Sequence, residues 1–127
     1  MPYLTDNWYN PSSGYRAGRG AKGAIEKARE QVASLIGASP EEIVFTGCGT
    51  ESNNMALKSL ARGMGRQNTK IVVSEIEHSA VLRPTEAMAA AGYEVEQVTT
   101  DGEGRLDLGA FEEAVSSEKP GFASIMW

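Results

Sequence analysis

Phe45-Thr46-Gly47-Cys48-Gly49-Thr50-Glu51-Ser52-Asn53-Asn54 is a small-residue turn set between an apolar run and an amphipathic one. Ile43, Val44 and Phe45 have the bulk and β-branching of a buried strand, and apolar side chains return at helical spacing after Thr50. The turn is therefore expected to leave a strand at Ile43–Phe45 and to open a helix near Glu51–Gly63. A helix N-terminus carries unpaired N–H groups and the positive end of the helix dipole, so it attracts anions. Gly47 and Gly49 clear side chains from such a cradle and Thr50 adds a hydroxyl, so the turn reads as a phosphate seat; a tight turn holding no anion is the plain alternative.

On the N-terminal side, Asn10-Pro11-Ser12-Ser13-Gly14 is a turn cluster, and the residues before it read as an arm or loop. From about Gly18 to Ile36, the apolar residues Ala21, Ile25, Ala28, Val32 and Leu35 recur at helical spacing with Lys22, Lys27, Arg29 and Glu30 between them. Gly37 is the expected C-cap, and Ser39-Pro40-Glu41-Glu42 a short capped turn. On the C-terminal side, Lys70-Ile71-Val72-Val73-Ser74 is nearly continuous in β-branched residues, the pattern of a parallel strand covered on both faces. A helix over Ser79–Ala91, a strand over Tyr93–Val98, a turn at Asp101–Gly104, a helix near Asp107–Ser117 and a last strand over Phe122–Met126 complete the pattern. Such alternation implies right-handed βαβ crossovers and a three-layer α/β/α fold with a mostly parallel sheet.

Composition narrows the function classes. The 127 residues suit one domain, and 41% hydrophobic with 23% charged residues is an ordinary soluble balance. The formal net charge of −5, with scattered basic residues, gives no nucleic-acid footprint, and no apolar run is long enough to suggest a membrane span. A single cysteine, Cys48, excludes an internal disulfide, and with a single histidine it argues against a structural zinc site. The start Met1-Pro2-Tyr3-Leu4 has no secretory pattern, so a cytoplasmic location is expected.

Glu75-Ile76-Glu77-His78-Ser79-Ala80-Val81 follows the Lys70–Ser74 strand at its C-terminal end, where open α/β sheets bind ligands. His78 in that position suits ring stacking, acid–base work or a helix cap; a loop histidine without a ligand is the plain reading. The glycine turn is a partial dinucleotide fingerprint, since Ser52 stands where a third glycine belongs, and no Gly-Lys-Ser/Thr follows for a P-loop. A nucleotide-binding α/β domain stays open on the local pattern.

Five blocks stand in order: Asn10-Pro11-Ser12-Ser13; Phe45 to Asn54; Ser74-Glu75-Ile76-Glu77-His78 with Ala80-Val81; Gly92-Tyr93-Glu94-Val95; and Ser124-Ile125-Met126-Trp127. Together they resemble the cysteine desulfurases and related selenocysteine lyases, in the class V aminotransferase branch of the fold-type I enzymes that use pyridoxal 5′-phosphate (PLP). The resemblance implies an arm over 1–17 and a partial PLP-binding large domain over 18–127, truncated at both ends relative to the family. It implies cofactor contacts from Gly49 and Thr50 to the phosphate, and from His78, stacked on the pyridine ring and a candidate acid or base. Glu51, Ser52 and Asn53 support that turn, and Cys48 is not the sulfur-accepting cysteine.

The Ser-x-His-Lys that carries the family's Schiff-base lysine is not in this sequence, nor is its catalytic cysteine. Lys22, Lys27, Lys58, Lys70 and Lys119 all lie outside such a context and read as surface charges. The implied function is the N-terminal segment of a PLP-dependent desulfurase that takes L-cysteine to alanine and an enzyme persulfide for iron–sulfur cluster assembly. With a partial PLP site the chain is expected to be inactive alone. The implied partner is a second copy in a homodimer, or a complementary C-terminal half as in a split enzyme. A noncatalytic interaction module is the alternative from another class.

Overall fold

The computed structural model describes residues 2–116 and 121–126, which form two compact units divided after Phe45. In the first unit a short helix α1 (Pro2–Thr5) leads to the Asn10 turn and then to α2 (Arg16–Ile36). Asn10 organises the turn: its Oδ1 accepts from the Ser12 N–H at 2.9 Å and its carbonyl accepts from Ser13 Oγ at 2.6 Å. A Cβ on Gly18 would lie 2.1 Å from Ser13 Oγ and 2.5 Å from the Asn10 carbonyl, so only glycine lets the helix start this close to the turn.

α2 starts two residues earlier than its apolar spacing predicts and ends, as expected, at Gly37, whose φ of 70° is left-handed. The apolar stripe is only partly covered, since Ala21 and Ala33 are buried while Ile25, Val32 and Leu35 are exposed. After a 3-10 turn (Pro40–Glu42), in which Glu42 Oε2 takes the Ser39 N–H at 2.8 Å, Ile43 is extended. The expected strand Ile43–Phe45 does not form. Its backbone finds no ladder among the described residues, and the Ile43 carbonyl instead takes a hydrogen bond from Arg29, whose guanidinium also lies 5.1 Å from the Phe45 ring centroid. β-propensity without a partner strand does not make a strand.

The second unit has the expected architecture. α3 (Gly49–Met64), β1 (Lys70–Ser74), α4 (Ser79–Ala90), β2 (Glu94–Val98), α5 (Leu108–Val115) and β3 (Gly121–Ser124) follow one another, and the sheet order is β2-β1-β3 with both pairings parallel. Every residue of β1 is buried. Ile71 and Val73 pack with Leu57 and Ala61 of α3 and Val81 and Met88 of α4; Val72 faces the other way, with Val98 of β2 and Ala114 of α5. The side-chain alternation of one strand thus divides the helices into two layers. The sequence places β1 without error and β2, α4 and α5 to within two residues; Ser117, Lys119 and Trp127 lie outside the described residues.

Lys70 corrects the reading of the lysines as surface charges. It is 8% exposed, and its Nζ lies 2.7 Å from Glu96 Oε2, one diagonal step away on the neighbouring strand. Desolvating an ammonium is costly unless a partner neutralises it, and sequence alone does not show that Glu96 falls in register to do so. Among the described residues no helix is long and apolar enough to cross a membrane.

Two outcomes follow for urea unfolding. Ile71, fully buried, is expected to cost about 2–5 kcal/mol when replaced by alanine, through lost transfer energy and the cavity left behind. Gly121→Ala is expected to disrupt the β1–β3 pairing, because its Cβ would lie 1.8 Å from the Lys70 carbonyl oxygen; Gly104→Ala, where a Cβ meets no atom within 4 Å but φ is 78°, should be milder.

Candidate functional site

The turn that opened the sequence reading starts its helix early. Cys48 is the N-cap, Gly49 and Thr50 are the first two residues of α3, and the first turn of main-chain bonding begins with Ser52 N–H to Cys48 O at 3.1 Å. Among the described residues the N–H groups of Gly49, Thr50 and Glu51 have no acceptor, as helix geometry requires of a first turn. Glu51, the third helical residue, reaches back to take the Gly47 N–H at 2.6 Å, and Thr46 Oγ1 and Ser52 Oγ share a hydrogen bond of 2.5 Å. These contacts rigidify the turn and spend the Gly47 donor, leaving the Gly49–Glu51 amides and the Thr50 hydroxyl to a ligand. A Cβ built on Gly49 meets nothing within 4 Å, so nothing crowds the turn at that position.

His78 is the N-cap of α4. Its Nδ1 accepts the Ala80 N–H at 3.0 Å, the side chain is exposed, and Nε2 is the nitrogen left to face a ligand. A strand-to-helix turn at the C-terminal edge of the sheet brings it there.

The first turns of α3 and α4 are held together by a device the sequence reading missed. Pro84 has no N–H, so the carbonyl four residues earlier, Ala80, loses its helical donor. Asn54 Nδ2 donates to that carbonyl across a long 3.5 Å, and to the Thr50 carbonyl of its own helix at 3.0 Å. Thr50 and Ser79, the residue after His78, consequently line one groove of about 360 Å³ between the helices. A proline inside a predicted helix was the available signal; its partner on another helix was not legible.

The Glu75–His78 turn is anchored at both ends. Glu75 Oε1 accepts from both the N–H and the Oγ1 of Thr100 at 2.6 Å each, and the Glu75 N–H donates to the Val98 carbonyl at 3.0 Å. Glu77 is buried, and its Oε1 accepts from Ser74 Oγ at 3.1 Å. The Thr100 hydroxyl and then its N–H hold the Glu75 carboxyl below its ordinary value of 4.5, against a small opposing effect of burial.

Two helix N-termini thus lie tied at one edge of a parallel sheet, the first opening at a glycine turn and the second capped by histidine. The family model described as Aminotransferase class-V matches residues 1–127. The chain belongs to the aminotransferase class-V family. Its relatives include the mitochondrial cysteine desulfurase of Drosophila melanogaster, 43% identical over 119 residues, which are 93% of this chain and 26% of that protein. Cysteine desulfurase IscS of Dictyoglomus turgidum is 43% identical over 106 residues, 84% of this chain and 27% of its own length. Among solved structures, a NifS-like protein superposes with a TM-score of 0.85 at 36% identity, covering 98% of this chain and 34% of its own. The chain thus spans roughly a quarter to a third of the aminotransferase class-V relatives it matches, in their N-terminal portion.

Membership of the class-V family implies PLP as the cofactor, and the residues present fit it in part. The unpaired amides of Gly49–Glu51 and the Thr50 hydroxyl are donors of the kind a phosphate takes, and the exposed His78 imidazole is a flat ring of the kind that stacks on an aromatic.

The lowered Glu75 carboxyl makes the Thr100 clasp pH-dependent. A group whose folded value is depressed stabilises the fold fully above its unfolded value and loses that contribution as pH falls through the folded value. The difference in urea midpoint between the wild-type chain and Glu75→Ala is therefore expected to hold steady above about pH 4.5 and to shrink below it.

Proposed function

We propose that this chain supplies the phosphate and ring contacts of a PLP site in a cysteine desulfurase. Gly49 and Thr50 bind the phosphate with their N–H groups and the Thr50 hydroxyl, and His78 faces the pyridine ring through one face and presents Nε2–H as a donor. The observation that carries the reading is the tie between the two helix starts, Asn54 holding Thr50 and Ala80 together beside open donors. Relatives named cysteine desulfurase give it its chemistry.

When bound, PLP draws electrons from the substrate amino acid, which requires a lysine to hold it covalently. None of the lysines of this sequence stands in the Ser-x-His-Lys context of the family, and Lys70 is committed to Glu96. The reading therefore assigns L-cysteine as the substrate of the complete site, and iron–sulfur cluster assembly as the use of its sulfur, but gives this chain alone no turnover. The residues that complete it lie outside this sequence; a complementary C-terminal half is the partner proposed to bring them, and a second copy is the partner proposed for a homodimer. The outer edge of β3 supports such a partner, since among the described residues β3 pairs only with β1. The division into an arm, 1–17, and a partial cofactor domain, 18–127, and a cytoplasmic location belong to the same proposal.

Titration of the full chain with PLP, followed by cofactor fluorescence, tests the site. A hydrogen bond to a charged group is worth about 1.5–3 kcal/mol, so Thr50→Val is expected to weaken binding about tenfold or more. Equal binding by wild type, Thr50→Val and His78→Ala would place the cofactor elsewhere. With PLP, L-cysteine and a reductant, the pure chain is expected to release no sustained sulfide; steady release would overturn the need for residues outside this sequence.

A further inference from the structure

His78 is exposed, and an exposed imidazole ordinarily samples several rotamers and both neutral tautomers. Here its freedom is removed by neighbours that lie away from the ligand face. A backbone N–H can only donate, so the 3.0 Å contact from Ala80 N requires an unprotonated Nδ1. The proton of the neutral ring is then on Nε2.

The cap follows directly on the Glu75–Glu77 turn, which is tied at its first residue. Glu75 makes three hydrogen bonds to the end of β2: its N–H to the Val98 carbonyl at 3.0 Å, and Oε1 to both donors of Thr100 at 2.6 Å each. Ser74 and Glu77 close the turn from within, through Oγ to Oε1 at 3.1 Å and the Glu77 N–H to the Ser74 carbonyl at 3.4 Å. Glu75 and Thr100 are 25 residues apart and meet because Ser74 pairs with Val98 across the sheet.

We propose that Glu75, clasped by Thr100, is a positioning residue that fixes His78 as a single neutral tautomer, with Nδ1 spent on the α4 cap and Nε2–H turned outward. The inference rests on His78 as the ring-facing residue of the proposed site. It adds that the neutral ring carries its proton at Nε2, so that this nitrogen is a hydrogen-bond donor toward a ligand, and that its orientation is set from the end of β2. Glu75 itself touches no ligand.

His78 is the single histidine of the sequence, so its ring nitrogens are read without ambiguity by long-range proton–nitrogen NMR of the uniformly 15N-labelled chain. At about pH 8, where an ordinary imidazole is neutral, the wild-type chain is expected to show the Nε2–H tautomer alone and a protected Ala80 amide. Glu75→Ala is expected to shift the ring toward the mixture of a free peptide and to expose the Ala80 amide to exchange. Glu75→Gln, whose amide oxygen accepts the same two bonds, should restore the wild-type spectrum, which a general loss of stability would not do.

A wild-type ring that is mixed or Nδ1-protonated overturns the proposal, and so does a folded Glu75→Ala with an unchanged ring and amide. Where circular dichroism shows Glu75→Ala unfolded, Thr100→Val, which deletes only the hydroxyl bond, takes its place: a partial shift supports the clasp and an unchanged spectrum overturns it. None of these readings uses PLP. A ring that responds as stated in a chain that fails to bind the cofactor keeps the positioning role and removes the cofactor reading alone.

Discussion

The burial of β1 is the constraint on which the second unit depends. Lys70–Ser74 has a strand on each edge and helices over each face, so every one of its residues is buried. Once the strand occupies the centre, alternation of its side chains decides which helix goes to which layer. Ile71 and Val73 draw in α3 and α4, and Val72 leaves α5 for the opposite side. Even the exception obeys the constraint: Lys70 is retained inside because Glu96 meets it on the adjacent strand. The chain leaving β1 must emerge at the C-terminal edge of the sheet, and that emergence is the Glu75–His78 turn.

At that edge the electrostatics of two helices add. α3 and α4 both begin there, each with the positive end of its dipole and its first amides pointing out of the fold. Their approach is stabilised by an irregularity, since Pro84 frees the Ala80 carbonyl and Asn54 uses it. The glycine turn supplies clearance, Thr50 a hydroxyl and His78 an aromatic face. The aminotransferase class-V family, to which the chain belongs, implies PLP as the cofactor, and that is what the proposed site is built around.

Legibility in the sequence followed the range of the interaction. β1 was readable because Ile71, Val72 and Val73 are consecutive β-branched residues, and the Gly47–Asn54 turn because glycine and threonine at a helix start have a local meaning. Ile43–Phe45 carried an equally good local signal and formed no strand, since a ladder needs a partner that propensity does not supply. The stripe Ile25, Val32 and Leu35 gave the helix correctly and its covered face poorly, because periodicity fixes conformation and not what lies opposite. Gly49, Thr50 and His78 were found at the two helix starts. Glu75, Thr100 and Asn54 were not read as site-building residues, because each acts through a contact set by strand register or helix packing.

The sheet order has a consequence for how the molecule comes into being. β2 can dock on β1 as soon as α4 has folded between them, but the other edge of β1 stays open until β3, much later in the chain, arrives as the last described element. During synthesis the most apolar strand therefore waits half-paired while α5 is still being made, a period in which non-local closure is slow and exposed edges invite wrong partners. Glu96 and Lys70 are already present on the completed side in that interval.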